Sequence, residues 1–405
     1  MLHLQNSPPT AWRILTPKLP ILLPRSAEET WYLTPPWRYV MSSNHAVDVE
    51  DNLESWSDLE GSKFYRPLGQ GANLSNAKLL VERHRDRGIG DHLFMTGPLA
   101  YMRHLSQNTL EIYWHAAADR SAILAGNQDL VNKSPLLGPV IYDCLPRYHY
   151  HWLVNSVSEY TEEPDQPNVY DALFQLAGVD PESVAPRWKR PFVYLAGDDS
   201  RAYYQFCRMV HIQTQVDLVT QPYWVVAPTC HSNLRSMPYN TWLQVIAELS
   251  KLGPVVVLGQ AANGLLPVTD MDFGSFQARL TELSQQTGNV ISIFGQTPAR
   301  LAAAIVGGAK GLVTLDSGLL YVAQGVGTKA VSIWGPQDPA TRLGYDPVAM
   351  KLAVWHKPAC PASPCFAYRA WPVSKCPSGK EQTVCQVLLE TTADQVMAKV
   401  ELAAS

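Results

Sequence analysis

The segment Leu315–Pro339, LDSGLLYVAQGVGTKAVSIWGPQDP, decides how the chain is read. The apolar run KGLVTL ends in an acid, a hydroxyl and a glycine: Asp316, Ser317 and Gly318. A short helix-patterned stretch follows, and then a second apolar run, KAVSIWG, which stops at Gly335-Pro336. Strand, turn, helix and strand in that order make a parallel βαβ unit. The backbone N–H groups at the helix start and the positive end of its dipole make the first turn an anion site. Gly318 lets a diphosphate approach the backbone closely. Asp316 would repel a phosphate, so it reads as an acceptor for sugar hydroxyls. Helix capping is the other role open to it, since Asp, Ser and Gly all favour that position. The turn GPQDP ends the next strand and can line the same mouth, with Asp338 as a turn residue.

Outward from this unit the same alternation continues. YWVVAP, PVVVLG and KGLVTL read as strands, and NTWLQVIAELSKLG and TPARLAAAIVGGA as helices. Thr297 is the expected N-cap of the latter helix, with Pro298 in its first position. An earlier series begins at Ala77: the strands AKLLVER, TLEIYWHA and GPVIYDCL, and the helices LFMTGPLAYMRHL and VYDALFQLAGV. Two successive α/β domains are expected to bind a ligand in the cleft between them. Residues 1–75 differ, with aromatic stretches (TWYL, WRYVM) and the acidic DVEDNLESWSDLEG, and read as a small β-rich or irregular extension.

Composition bounds the function. The 405 residues suffice for two or three cores, and hydrophobic residues at 46% exclude a disordered chain. A net charge of -4 argues against a chain built to coat nucleic acid. Charged residues reach only 17% beside 12 tryptophans, which points to an interface, a homo-oligomer being one such partner. No apolar run is long enough for a membrane span. The start MLHLQNSPPTAWRILTPKLPILLPR lacks a secretory pattern, so the expected location is the cytoplasm, where the seven cysteines are not read as disulfides.

Four blocks, in order, carry a family resemblance. RGIGDHLFMTGPLAYMR, APTCHSNLRSMPYNTW, the opening segment, and CPASPCFAYRAWPVSKCPSGKEQTVC followed by TTADQV together resemble glycosyltransferase family 9, the ADP-heptose:lipopolysaccharide heptosyltransferase family. The likeness runs from about Ala77 to Val396. It implies a GT-B fold, two Rossmann-like α/β domains facing a cleft. Its expected divisions are an extension (1–75), an acceptor domain (76–205), a nucleotide-sugar domain with the cysteine tail (206–390), and a last helix (391–405) crossing back to the acceptor domain. It implies metal-independent, inverting transfer from a nucleotide-diphosphate sugar, ADP-linked by preference, to a glycan hydroxyl. Acceptors on a protein or a nucleic-acid base, and a sugar-nucleotide-binding subunit without turnover, are the rivals.

The resemblance also assigns residues. Asp91, in GIGDH, falls at the family's acidic base, flanked by Gly90 and His92 on the acceptor side. Helix-dipole complementation is the reading of Asp91 without the family. Arg235 falls where Lys is usual and would hold diphosphate oxygens with its fork. The N–H groups of Ser317, Gly318 and Leu319 would share that charge. Asn263 stands where many members carry a nucleotide-contacting Glu, Met237 where Trp is usual, and Tyr321 at a common His position.

Cys360, Cys365, Cys376 and Cys385, spaced C-x4-C-x10-C-x8-C, are candidate ligands for one structural zinc or iron, or else four free thiols. His149 and His151, two apart in RYHYHW with Cys144 nearby, read as structural or acceptor-side residues.

Overall fold

The computed structural model describes residues 12–17, 21–24, 30–33, 39–42, 53–58, 62–64, 66–83, 88–116, 122–132, 136–137, 140–154, 168–230, 233–259, 270–365 and 384–405, the first five ranges by their backbone alone. It divides into two units: Met1–Thr161 with Val169–Lys189, and Glu162–Asn168 with Arg190–Ser405.

The first unit opens with the extension, which is built of strands. β1 (Trp12–Pro17) pairs antiparallel with β4 (Tyr39–Ser42) and β5 (Leu53–Asp58), while β2 (Ile21–Pro24) and β3 (Thr30–Leu33) pair with each other. The α/β part follows: β6 (Lys78–Arg83), α1 (Ile89–Leu105), β7 (Glu111–Ala116), β8 (Leu136–Leu137), β9 (Val140–Ile141), β10 (Tyr150–Val154) and α2 (Val169–Leu176). Its sheet is parallel, in the order β10-β6-β7-β8.

The stretch GPVIYDCL, expected as a strand of this sheet, is not one. Its two-residue β9 pairs antiparallel with β4 of the extension, and a 3-10 turn over Tyr142–Arg147, with Pro146 inside it, ends the strand. The extension is thereby joined to the α/β part through backbone hydrogen bonds. Leu80, Val140, Tyr142 and Leu145 form a small apolar core there. On the opposite face lies α1, whose Phe94 and Tyr101 meet Tyr170 and Phe174 of α2 edge-on.

The second unit runs α3 (Gly197–Thr214), β11 (Trp224–Ala227), α4 (Tyr239–Leu252), β12 (Val255–Val257), α5 (Phe273–Thr287), β13 (Val290–Ser292), α6 (Ala299–Gly307), β14 (Gly311–Leu315), α7 (Gly318–Val326), β15 (Ala330–Ile333), α8 (Ala340–Leu343), α9 (Pro347–Lys351), β16 (Ala353–Val354), α10 (Gln386–Leu389) and α11 (Ala393–Ala404). All its strand pairs are parallel, in the order β13-β12-β11-β14-β15-β16. Taking β11 as the first strand, this is 3-2-1-4-5-6, the nucleotide-binding Rossmann order. The four central strands, β12, β11, β14 and β15, are buried on both faces, as their Val- and Ile-rich composition requires. Trp224, Val226, Val255, Val257, Val313 and Val331 pack against Trp242 and Ile246 of α4, Phe276 of α5 and Val396 and Val400 of α11.

Three expectations shift. The unit boundary falls at Lys189–Arg190, not near 205: α3 belongs to the second unit, because Asp199 of α3 forms a two-pronged pair with Arg300 of α6. The closing helix, expected on the first domain, packs its apolar stripe on the second unit's own core. Pro298 is itself the N-cap of α6, one residue later than expected.

His149 and His151 are structural. His149 Nδ1 accepts from the Lys78 N–H at 2.9 Å. His151 Nδ1 accepts from the Arg66 N–H at 2.9 Å, and its Nε2 lies 3.0 Å from the Leu145 carbonyl, which requires the Nε2–H tautomer. Burial holds the His151 pKa below the ordinary histidine value. A folded pKa below the unfolded one gives stability that is present above about pH 6.5 and lost as the pH falls toward the folded value. Unfolding free energies from urea titrations should therefore fall by up to about 1.4 kcal/mol per pH unit below about pH 6.5, and a His151→Gln variant should lack that component of the slope. Identical slopes for the two proteins contradict this assignment.

Candidate functional site

In an open parallel sheet, ligands bind beyond the carboxyl ends of the strands, where the strand order reverses. In the second unit that point lies between β11 and β14, which are neighbours although two strands separate them in sequence. Both carboxyl ends carry residues singled out from the sequence. Arg235 closes the 3-10 turn Asn233–Arg235 after β11, and Asp316 follows β14. Thr314 ties the two ends together: its Oγ1 donates to the Ala227 carbonyl at 3.2 Å and lies 3.1 Å from Ser317 Oγ.

Asp316 is not a helix cap. The N-cap of α7 is Ser317, in extended conformation and without a side-chain capping bond. The Asp316 carboxylate is instead buried, 5% exposed, and held from two sides. Tyr321 donates its hydroxyl to Oδ1 at 2.5 Å. Arg235 Nη1 lies 3.4 Å from Oδ2 and donates to the Asp316 carbonyl at 3.1 Å. Burial and then the Asp316 charge push the Tyr321 phenol well above its ordinary value, against the opposing charges of Arg342 and Arg235. Arg342 itself is buried, on α8 just beyond the GPQDP turn.

Ser317, Gly318 and Leu319 are half-buried at the first turn of α7, where N–H groups have no partner within the helix. The GPQDP turn is rigid: Asp338 Oδ1 accepts from the Ala340 N–H at 2.8 Å, and Gln337 donates to Thr341 Oγ1 at 2.8 Å. Asp338 is thus a turn residue, as expected.

The first unit repeats this construction. Its order reverses between β6 and β10, and Asp91 lies in the first turn of α1, directly after β6. The Asp91 N–H donates to the Gly88 carbonyl at 3.0 Å, and its side chain is half-buried. Gly90 is buried beside it. His92 departs from expectation. It is 1% exposed, with its ring 6.0 Å from that of Trp114, so it belongs to the packing beneath α1 and presents no surface to an acceptor.

Cys360 and Cys385 are buried and Cys365 is half-buried, and none of the three is in a disulfide. The Cys365 N–H donates to the Pro336 carbonyl at 2.9 Å, and Ser363 Oγ donates to the Gly335 carbonyl at 3.3 Å, so the tail is anchored on the GPQDP turn. A Cβ at Gly335 would lie 2.9 Å from Leu388 of α10, so only glycine allows that approach. Burial pushes the Cys385 thiol up to about 11, with Cys365 and Cys360 adding to the rise, which places the three thiols in one electrostatic neighbourhood. Among the described residues no group of three or more His, Cys, Asp or Glu stands at metal-holding geometry. Cys376 and Asn263 lie outside the described residues.

Two parallel-sheet units, each reversing its strand order beside a candidate residue, define a protein of the GT-B class. Residues 193–370 match the family model for glycosyltransferase family 9 (heptosyltransferase), and the chain is a glycosyltransferase carrying that domain. No curated protein matches it in sequence. Solved structures share its fold. The family 9 glycosyl transferase of Veillonella parvula is 13% identical over 82% of this chain and 98% of its own, at a TM-score of 0.56. The ADP-heptose LPS heptosyltransferase II of E. coli is 14% identical over 81% and 98%, at 0.54. The iron-containing dodecameric glycosyltransferase TibC of enterotoxigenic E. coli is 16% identical over 98% and 92%, at 0.54, and TibC is also known in complex with ADP-D-β-D-heptose.

Sequence reasoning treated Tyr321 only as a departure from a family position and passed over Arg342. The available signal was spacing: a tyrosine five residues after an acid at a strand end can reach back across the first helical turn. The pair predicts a stability effect. Asp316→Ala strands the Tyr321 hydroxyl and a partly buried guanidinium, and should lower the unfolding free energy in urea by about 2 to 3 kcal/mol. A loss of about 1 kcal/mol or less, the scale of a helix cap, would leave the pair without a stabilising role.

Proposed function

We propose that the protein transfers a sugar, heptose or a close relative, from a nucleoside-diphosphate donor to a glycan hydroxyl, inverting the anomeric centre. The observation that carries this is the coincidence of Arg235, Asp316 and the α7 N-terminus at the strand-order reversal of a family 9 domain. The donor diphosphate takes the N–H groups of Ser317, Gly318 and Leu319, and the guanidinium of Arg235, part of whose charge is offset by Asp316, adds to them. These donors stabilise the charge that grows on the leaving diphosphate as its bond to the anomeric carbon breaks. Asp91 is the base: the acceptor oxygen bonds to the anomeric carbon while its proton passes to the Asp91 carboxylate. Asp316 is the acceptor offered to the sugar hydroxyls. Asn263 contacts the nucleotide, and Gly90 lets the acceptor approach α1. ADP is the favoured nucleotide, by likeness to TibC and to the E. coli enzyme.

A protein acceptor is the second reading. The extension ahead of the first α/β strand, residues 1–75, favours it, and a nucleic-acid base is the other acceptor of this kind. Self-association belongs to the same reading, since TibC is dodecameric, and the cytoplasm is its location. Among the described residues no helix is long and apolar enough to cross a membrane.

Incubation with ADP-, UDP- and GDP-sugars should release ADP alone. Thermal stabilisation by an ADP-sugar without release would make the protein a binding subunit, and neither effect would end the donor reading. Asp91→Asn should keep donor affinity and lower turnover at least about a hundredfold. Near-normal turnover would remove Asp91 from the chemistry.

Cys360, Cys365, Cys376 and Cys385 are the proposed ligands of a soft, thiolate-bound ion, zinc or iron, by residue type and spacing, the three described thiols not standing at metal-holding geometry without it. Such an ion would be structural, and the iron-containing TibC is a precedent for it. Protein purified without metal-affinity resin should hold about one equivalent of zinc or iron, and its removal should lower Tm while leaving Asp91 and α7 chemically intact. Less than about a tenth of an equivalent, with every tail thiol titrating in the folded protein, rejects the ion.

A further inference from the structure

Tyr321 lies in the second turn of α7, only 4% exposed, and its hydroxyl reaches back to Asp316 Oδ1. The other carboxylate oxygen, Oδ2, faces Arg235 Nη1, and the same nitrogen donates to the Asp316 carbonyl. We infer that Tyr321 is a positioning residue of the donor site, acting through Asp316 to fix the guanidinium of Arg235 in the orientation that receives a diphosphate. The inference rests on the donor reading above.

The argument is geometric. A carboxylate at a strand end turns about its terminal torsion, for which the rotamer wells are broad. A hydrogen bond on Oδ1 removes that freedom and aims Oδ2 at one place. Arg235 meets that oxygen and the neighbouring carbonyl with one nitrogen. Because the guanidinium is planar, two acceptors on Nη1 set the direction of its remaining N–H groups. Preorganised donors are what a growing diphosphate charge needs, since no reorganisation is then required at the moment of reaction. The phenol suits the task. Its proton is held firmly by burial and by Asp316, so the hydroxyl donates and does not ionise. Phenylalanine keeps the ring and its packing but removes the donor. Histidine, common here in the family the sequence resembles, restores a donor on a shorter side chain.

Titration calorimetry of the full-length protein with ADP alone tests the proposal. Y321F should bind ADP about tenfold more weakly than wild type, the scale of one hydrogen bond to a charged group. In the R235A background Y321F should cost nothing further, because the group it positions is gone. Y321H should bind within about threefold of wild type. A role in folding alone would lower Tm in every background and leave ADP affinity unmoved. Wild-type affinity in Y321F, or an equal loss with and without Arg235, overturns the inference. Should Y321F fail to fold, Y321H decides: ADP binding as weak as that of R235A overturns it equally. Failure of the wild type to bind ADP is a separate result, which removes the donor reading and this inference with it.

Discussion

A buried carboxylate at the end of a central parallel strand is costly to keep, and Asp316 is kept only because both of its oxygens are engaged. The partners come from different places in the chain: Arg235 from the loop after β11, Tyr321 from the helix after β14. They meet because β11 and β14 are hydrogen-bonded neighbours, and those strands are neighbours because the sheet reverses its order there. The reversal leaves a crevice that no crossover helix fills. The polar groups at its rim are hydrogen-bonded to one another. The same arrangement in the first unit, with Asp91 beside the β6–β10 reversal, shows one architectural rule used twice.

Much of this was legible in the sequence. Four strands of the second sheet, β11, β12, β14 and β15, are apolar runs closed by Gly, Pro or an acid and read correctly because both faces are buried, whereas the edge strands β13 and β16 are too short and too mixed to stand out. What stayed hidden depends on partners remote in sequence. GPVIYDCL has strand composition, but its pairing goes to β4, about a hundred residues earlier, and composition does not choose a partner. The helical turn that leaves Asp91 half-buried also buries the adjacent His92, and a histidine beside a motif gives no sign of which way it turns. The helical stripe of α11 says that one face is buried without saying against what. Tyr321 was visible as a departure, but its bond to Asp316 depends on the path of the chain through Ser317 and Gly318.

The cysteine segment illustrates a different dependence. Its described ends are tied to the backbone of Gly335 and Pro336, the turn that follows β15, and to the core through Val384 and Leu388. A change at these described ends therefore bears on the turn at the mouth of the sheet as well as on the tail itself.

The seating of α11 has a consequence for biosynthesis. Val396 and Val400 cover the same apolar layer as α4 and β14–β16, so the core of the second unit stays open on one side until about residue 400 has been made. The parallel order adds to this, since β11 acquires its neighbour β14 only after two intervening strands and their helices. Non-local pairing of this kind folds slowly. A nascent chain halted before Ala393 would expose Trp242, Leu249 and the outer strands together, a surface suited to chaperone capture and to aggregation. Completion of this unit on the ribosome is accordingly coupled to emergence of its last helix.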